Sequence, residues 1–247
     1  MVSRAQNALG AVFTVAAWGR DSSALDRAVD RAFADVKDSS PALDSLRRTV
    51  SRETGLRLDP ARAAQGLALD HALAAVRGTA DSAILSVGEQ YLIMATGERH
   101  VGVADPANSL RSLAVITVPP GSWAVSTVSL ADQVDPILDP RTGKPADRVR
   151  TVTVLAGAAA VAGAWATVYY VLGCDRALSL AARAGVGVVC ADDRVRWTPE
   201  LDGLVAVTTD SAVSVETAPA PAPERARAAA AGARRPRATA ARSGSSR

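Results

Sequence analysis

The sequence predicts an α+β domain, antiparallel strands packed with helices, followed by a structureless basic tail, and three observations carry this. Apolar residues recur at helical spacing in two early segments, short apolar runs alternate with turn residues after Gly78, and the last thirty residues have almost no apolar bulk. With 48% hydrophobic and 21% charged residues over 247 positions, the chain has enough apolar material for one domain with its own core.

The first segment, 11–15, alternates as a β-strand does and runs into a helix start. A short signal peptide is the competing reading, since only Arg4 precedes an uncharged run ending at Gly19. From Ser22 or Ser23 as N-cap, Leu25, Val29, Phe33 and Val36 mark the inner face of an amphipathic helix. Ser39, Ser40 and Pro41 stop it. A polar stretch, 44–53, then leads to a short extended piece at 55–58. Asp59 and Pro60 cap a second helix over 61–77, closed by Gly78.

Strands are expected at 83–87, 91–95, 100–103, 113–118 and 123–128, an antiparallel meander by their spacing. A polar loop, 132–148, follows. Beyond it come a strand at 151–155, helices at 158–172 and 175–184, and strands at 186–190 and 205–207. The run 151–174 carries no charge for 24 residues and is long enough to cross a bilayer. Its β-branched opening and the break at Gly157 fit a buried strand turning into a helix, which is the favoured reading.

Charge is unevenly placed. Residues 218–247 hold seven arginines and one glutamate, so the net +3 of the chain is a tail at +6 set against a body near −3. Such a segment cannot bury enough apolar surface to fold. It reads as a solvated low-complexity tail, with a weak polyanion-binding arm as the alternative, and nucleic acid is not an expected partner. Cys174 and Cys190 have no metal-ligand spacing and read as buried free thiols of a reducing compartment. Two histidines, His71 and His100, are too few for a polyhistidine zinc site. No phosphate-loop, nucleophile-elbow or dinucleotide fingerprint is present.

One segment concentrates chemistry. The string ILDPRTGKP, 137–145, sets a charged trio among prolines and a glycine, so Asp139 and Pro140 open a turn, Thr142 and Gly143 close it, and Arg141 projects from a stiff support. Taken alone it is also a rigid hairpin loop fixed by an Asp139–Arg141 ion pair. Four further strings stand in order around it: ALGA at 8–11, LDPARAAQGLALD at 58–70, AILSVGE at 83–89 and AVST at 124–127, with the alanine-rich AAAVAGAWATVYYVLG at 158–173 after it.

Together these resemble the motifs of the ApbE family, the FAD:protein FMN transferases, over residues 6 to about 207. The resemblance implies an ApbE-like, T-fold-like arrangement of antiparallel sheets and helices over 1–217, shortened near 38–58, with 218–247 as the tail. It implies a magnesium-dependent transfer of FMN from FAD, the substrate, to a threonine hydroxyl of an acceptor flavoprotein, with release of AMP. FAD would be met by Gln65, Ile137, Leu138, Asp139, Arg141, Thr142 and Gly143. The magnesium ligands would be the carbonyl of Ala64 and the hydroxyl of Thr167. The family's aspartate ligand falls at Gly163, and no catalytic residue is assigned.

Other departures fall at the same places. Gln65 replaces a lysine, Ala61 and Arg62 replace glycines, Gln90 an aspartate, and Pro136 a histidine. Magnesium is a hard cation that ordinarily keeps a carboxylate, so Gly163→Asp is expected to restore affinity, unless Asp132 or Asp135 supplies the charge. Thr167 has a second reading as a helix threonine bonding back to the preceding turn. Two functions stay open, an active transferase and a flavin- or partner-binding module without turnover; a membrane-anchored protein using 151–174 is the third. The cell compartment expected is the cytoplasm, with membrane association as its alternative.

Overall fold

The computed structural model describes residues 1–34, 41–57, 60–108, 110–130 and 136–208, and the backbone of 214–217. Strands β1 (Val2–Ala8) and β2 (Ala11–Trp18) form a hairpin whose two turn residues, Leu9 and Gly10, both have positive φ. That is the tight turn that matches the twist of paired strands. The amino-terminal segment is therefore strand from residue 2 onward.

Helix α1 (Ser22–Ala34) is capped one residue earlier than the sequence suggests: the side chain of Asp21 accepts from the N–H of Ala24 at 2.9 Å. Helix α2 (Pro41–Thr54) occupies the stretch read as polar and irregular, so Pro41 opens a helix rather than only closing one. The helix buries only Leu43 and Val50, too thin an apolar stripe to stand out among its arginines and serines. Helix α3 (Pro60–Val76) agrees with expectation; Asp59, its expected cap, lies outside the described residues.

The strands that follow are β3 (Ser82–Val87), β4 (Gln90–Ala95), β5 (Arg99–Ala104), β6 (Ser112–Val118), β7 (Gly121–Ser129) and β8 (Thr151–Ala156). They do not form one meander. The β5–β6 hairpin leaves the sheet, and β7 returns to pair with β4, Tyr91 opposite Val125. After α4 (Ala159–Leu172) and α5 (Cys174–Ala184) come β9 (Gly187–Ala191), β10 (Arg194–Trp197), a 3-10 turn at Pro199–Leu201, β11 (Val205–Val207) and β12 (Ser214–Thr217). A nine-stranded sheet runs β1-β2-β3-β4-β7-β8-β9-β10-β12, antiparallel except for the β10–β12 pair, and β11-β6-β5 make a second, three-stranded sheet.

The main core lies between the large sheet and the helices, with Phe13, Leu25, Leu69, Leu85, Leu92, Tyr169 and Tyr170 all fully buried. A smaller core joins the second sheet to the opposite face of β7–β9, where Val103, Leu113 and Ile116 meet Val125, Leu155 and Val189. This arrangement explains the membrane-like run 151–174. Strand β8 is buried on both faces and α4 is buried at every position but Val161, so neither shows alternation. No helix of the described residues is long and apolar enough to cross a membrane.

Cys174 and Cys190 form a disulfide between the start of α5 and β9, their Cα atoms 5.6 Å apart, and are not free thiols. Sixteen residues of separation hid the pair, because the turn from α5 into β9 brings its ends together.

Candidate functional site

The site grows out of the crossing of α3 and α4. Gly66 permits that crossing: a Cβ on it would collide with the carbonyl of Ala159 and lie 2.5 Å from the nitrogen of Ala160. One turn on, the Asp70 carboxylate accepts from the N–H groups of Ala159 (2.8 Å) and Ala160 (3.0 Å), capping α4 from a neighbouring helix. Burial raises the pKa of Asp70, the two backbone donors opposing it. Sequence reading missed this role, although a lone carboxylate between Leu69 and Ala72, both buried, was a legible signal.

Residues four apart along α4 form one ridge, and the ridge from Ala159 passes Gly163, Thr167 and Val171. At Gly163 it meets α3 and β4. A Cβ there would lie 2.7 Å from the Arg62 carbonyl oxygen and collide with Oε1 of Gln90. Gln90 is 1% exposed. Its Nε2 donates to the Arg62 carbonyl and to Oε1 of Gln65, both at 3.1 Å, and Nε2 of Gln65 donates to the Leu9 carbonyl in the β1–β2 turn at 3.1 Å. The Arg62 guanidinium donates to the Thr127 carbonyl on β7 at 2.8 Å. Four positions that the sequence singled out, Arg62, Gln65, Gln90 and Gly163, are thus one contiguous group.

Thr167 is buried and its hydroxyl donates to the Gly163 carbonyl at 3.1 Å, the back-bonded arrangement. Ala64 is half-buried between Arg62 and Gln65 in the first turns of α3. Tyr169, stacked on Trp165 with centroids 5.2 Å apart, is fully buried and its phenol pKa is pushed up by desolvation.

The 137–145 turn sits at the far end of the same ridge. Its backbone closes by Asp139 N–H to the Lys144 carbonyl (2.8 Å), Gly143 N–H to the Asp139 carbonyl (2.8 Å), and a bridge between Leu138 and Pro145. Gly143 has φ +68°, which favours glycine there. Arg141 donates to the Asp139 carboxylate through Nε (2.9 Å) and Nη2 (2.6 Å), and the guanidinium holds that carboxyl down at about 2. Asp139, Thr142, Lys144, Asp147 and Arg148 line a cleft of about 360 Å³ together with Val171 of α4, while Ile137 packs on the main core. Val171 is eight residues from Gly163, roughly 12 Å along the helix, so the turn and the glutamine group share a ridge and not one pocket.

The magnesium expected from the resemblance does not fit these residues. Around Gly163 stand neutral amide and carbonyl oxygens, the Asp70 carboxylate faces the backbone N–H groups of Ala159 and Ala160, and no cluster of three acidic, histidine or cysteine side chains occurs among the described residues. Asp132 and Asp135 lie outside the described residues. Gly163→Asp, expected to restore the ion, has no room for its first carbon.

The family model described as the ApbE family matches residues 9–190. The fold is similar to the ApbE protein of Thermotoga maritima (TM-score 0.63, 15% identity, 82% of this chain and 98% of that one) and to the flavin transferase ApbE of Vibrio cholerae (0.65, 14%, 82% and 98%). It is similar also to the apo form of the Pseudomonas stutzeri flavinyl transferase ApbE (0.60, 14%, 82% and 96%). No curated protein matches the chain.

Proposed function

The chain belongs to the ApbE family, and from that premise we propose that it binds FAD and serves flavin transfer to an acceptor flavoprotein. The reaction is displacement at the FMN phosphorus: a threonine hydroxyl of the acceptor loses its proton and forms the new O–P bond, the diphosphate bond of FAD breaks, and AMP leaves. The observation that carries the reading is the 137–145 turn, held stiff by its own bonds and opening a cleft against the end of α4. Lys144 of the turn and Arg148 just after it bring two cationic side chains to that cleft, beside the carboxylates of Asp139 and Asp147, and the cations are the groups suited to a nucleotide's phosphates. Ion pairing to Asp139 fixes Arg141 in place, so it contributes orientation more than free charge.

A second reading, a flavin-binding member without turnover, is favoured by one observation, the closure of the Gly163 face by Gln90. The magnesium chemistry of the family would neutralise charge on the leaving phosphate. The residues around Gly163 do not fit the ion that would supply it.

The two readings separate in one assay. The full chain is incubated with FAD and a threonine-bearing acceptor flavoprotein domain, then run on a denaturing gel and read for flavin fluorescence, with AMP measured in the supernatant. A fluorescent acceptor band with equimolar AMP establishes transfer. FAD bound to the chain with no band and no AMP establishes the second reading.

A further inference from the structure

We infer that this chain has exchanged the family's divalent-ion position for a neutral glutamine tie, so that it holds no divalent cation at the Gly163 face with or without FAD. The inference rests on the resemblance to the ApbE motifs, which implies that Ala64, Gly163 and Thr167 stand at the metal-ligand positions. It goes beyond the function proposed above, since either reading of that function is compatible with it.

Three features of the structure carry it. The first is volume. Gln90 is buried to 1% exposure and its Oε1 stands in the space a side chain on residue 163 would need. Cores are packed to crystal density, so an ion and its ligands cannot be added to this space without expelling the amide.

The second is charge. Among the described residues, the side chains that meet at this face, Gln65, Gln90 and Thr167, are all neutral, and the Thr167 hydroxyl is turned toward the Gly163 carbonyl. A hard divalent ion needs several oxygens with carboxylate among them. On the described part of α3 the carboxylate is that of Asp70, which is directed at the N–H groups of Ala159 and Ala160 at the start of α4.

The third is that the replacement has work of its own. Gln90 joins β4 to Arg62 and Gln65 on α3, Gln65 joins α3 to the Leu9 carbonyl in the β1–β2 turn, and Arg62 joins α3 to β7. Leu9 carries a positive φ of 53°, a conformation that bulky residues seldom adopt, and the Gln65 bond holds its carbonyl there. Side-chain bonds from these three residues thus tie β4, the β1–β2 turn and β7 to α3. Oε1 of Gln90, the atom that faces Gly163, has no hydrogen-bond partner among the described residues.

The test uses Mn²⁺ as the probe ion, because its free form is read directly by electron paramagnetic resonance. The full chain is mixed with FAD and Mn²⁺ and compared with FAD and Mn²⁺ alone, while flavin fluorescence on the same samples reports whether FAD is bound. An unchanged free-ion signal upon adding protein is the expected result; a stoichiometric loss of that signal overturns the inference. Absence of FAD binding together with an unchanged signal would sink the proposed function and leave this inference standing. Melting temperatures supply the second readout. Gln65→Ala and Gln90→Ala remove two ends of one hydrogen bond, so the double variant should lose less than the two single losses added together. Fully additive losses would show that the two amides are not coupled, and would overturn the tie.

Discussion

The amide oxygen of Gln90 stands where a side chain on Gly163 would begin. Each residue is therefore the other's constraint, a glycine on the central helix matched to a long amide on the central sheet. Gly163→Asp should destabilise the fold by about 1–3 kcal/mol, the usual range for overpacking a filled core. Chemical denaturation measures this, and a variant as stable as the parent would show that the space is open.

The α3–α4 crossing is tighter still. Gly66→Ala puts a methyl group against the backbone of Ala159 and Ala160, where no rotamer change relieves it. The cost should reach about 3 kcal/mol or more, at the upper end for added core volume. The same shift would pull Ala159 and Ala160 off the Asp70 carboxylate, so the amide protons of both should lose protection in hydrogen exchange.

The Asp139 carboxyl should titrate at about 2 in the intact chain, since Arg141 bonds its charged form. Its folded value lies below the ordinary 3.8, so the carboxylate favours the folded turn above 3.8 and that preference is lost as pH falls through about 2. In Arg141→Ala the midpoint should move up toward 3.8. Carboxyl-carbon NMR follows the titration, and the group is exposed, so the effect on global stability should be slight.

The disulfide between Cys174 and Cys190 predicts that the unreduced, denatured chain reacts with no thiol reagent, and that two thiols appear after reduction. Closing a loop of this length is worth about 3 kcal/mol in the chain-entropy account. Reduction should lower the melting temperature accordingly, and two free thiols before reduction would refute the pairing.

Much of this fold was legible because its elements obey simple periodicities. Helices α1, α3, α4 and α5 and the strands from β3 to β9 lie within a residue or two of their expected bounds. Helix α2 was not, because two buried residues make too weak a stripe, and β1 was not, because an edge strand of Ser3, Arg4, Gln6 and Asn7 has no apolar face to read. The departure of β5–β6 to a second sheet depends on long-range pairing, which local pattern does not encode. Within the site, the positions of Arg62, Gln65, Gln90 and Gly163 were each visible as departures from a motif. That they touch, and that one fills the space of another, needed the structure.

In the function proposed above, flavin is held by the protein's own groups. Titrating FAD into the full chain, with its fluorescence recorded once in EDTA and once in excess Mg²⁺, tests this directly. Saturable binding with the same Kd in both buffers is the predicted result. Saturable binding in Mg²⁺ that disappears in EDTA would contradict it.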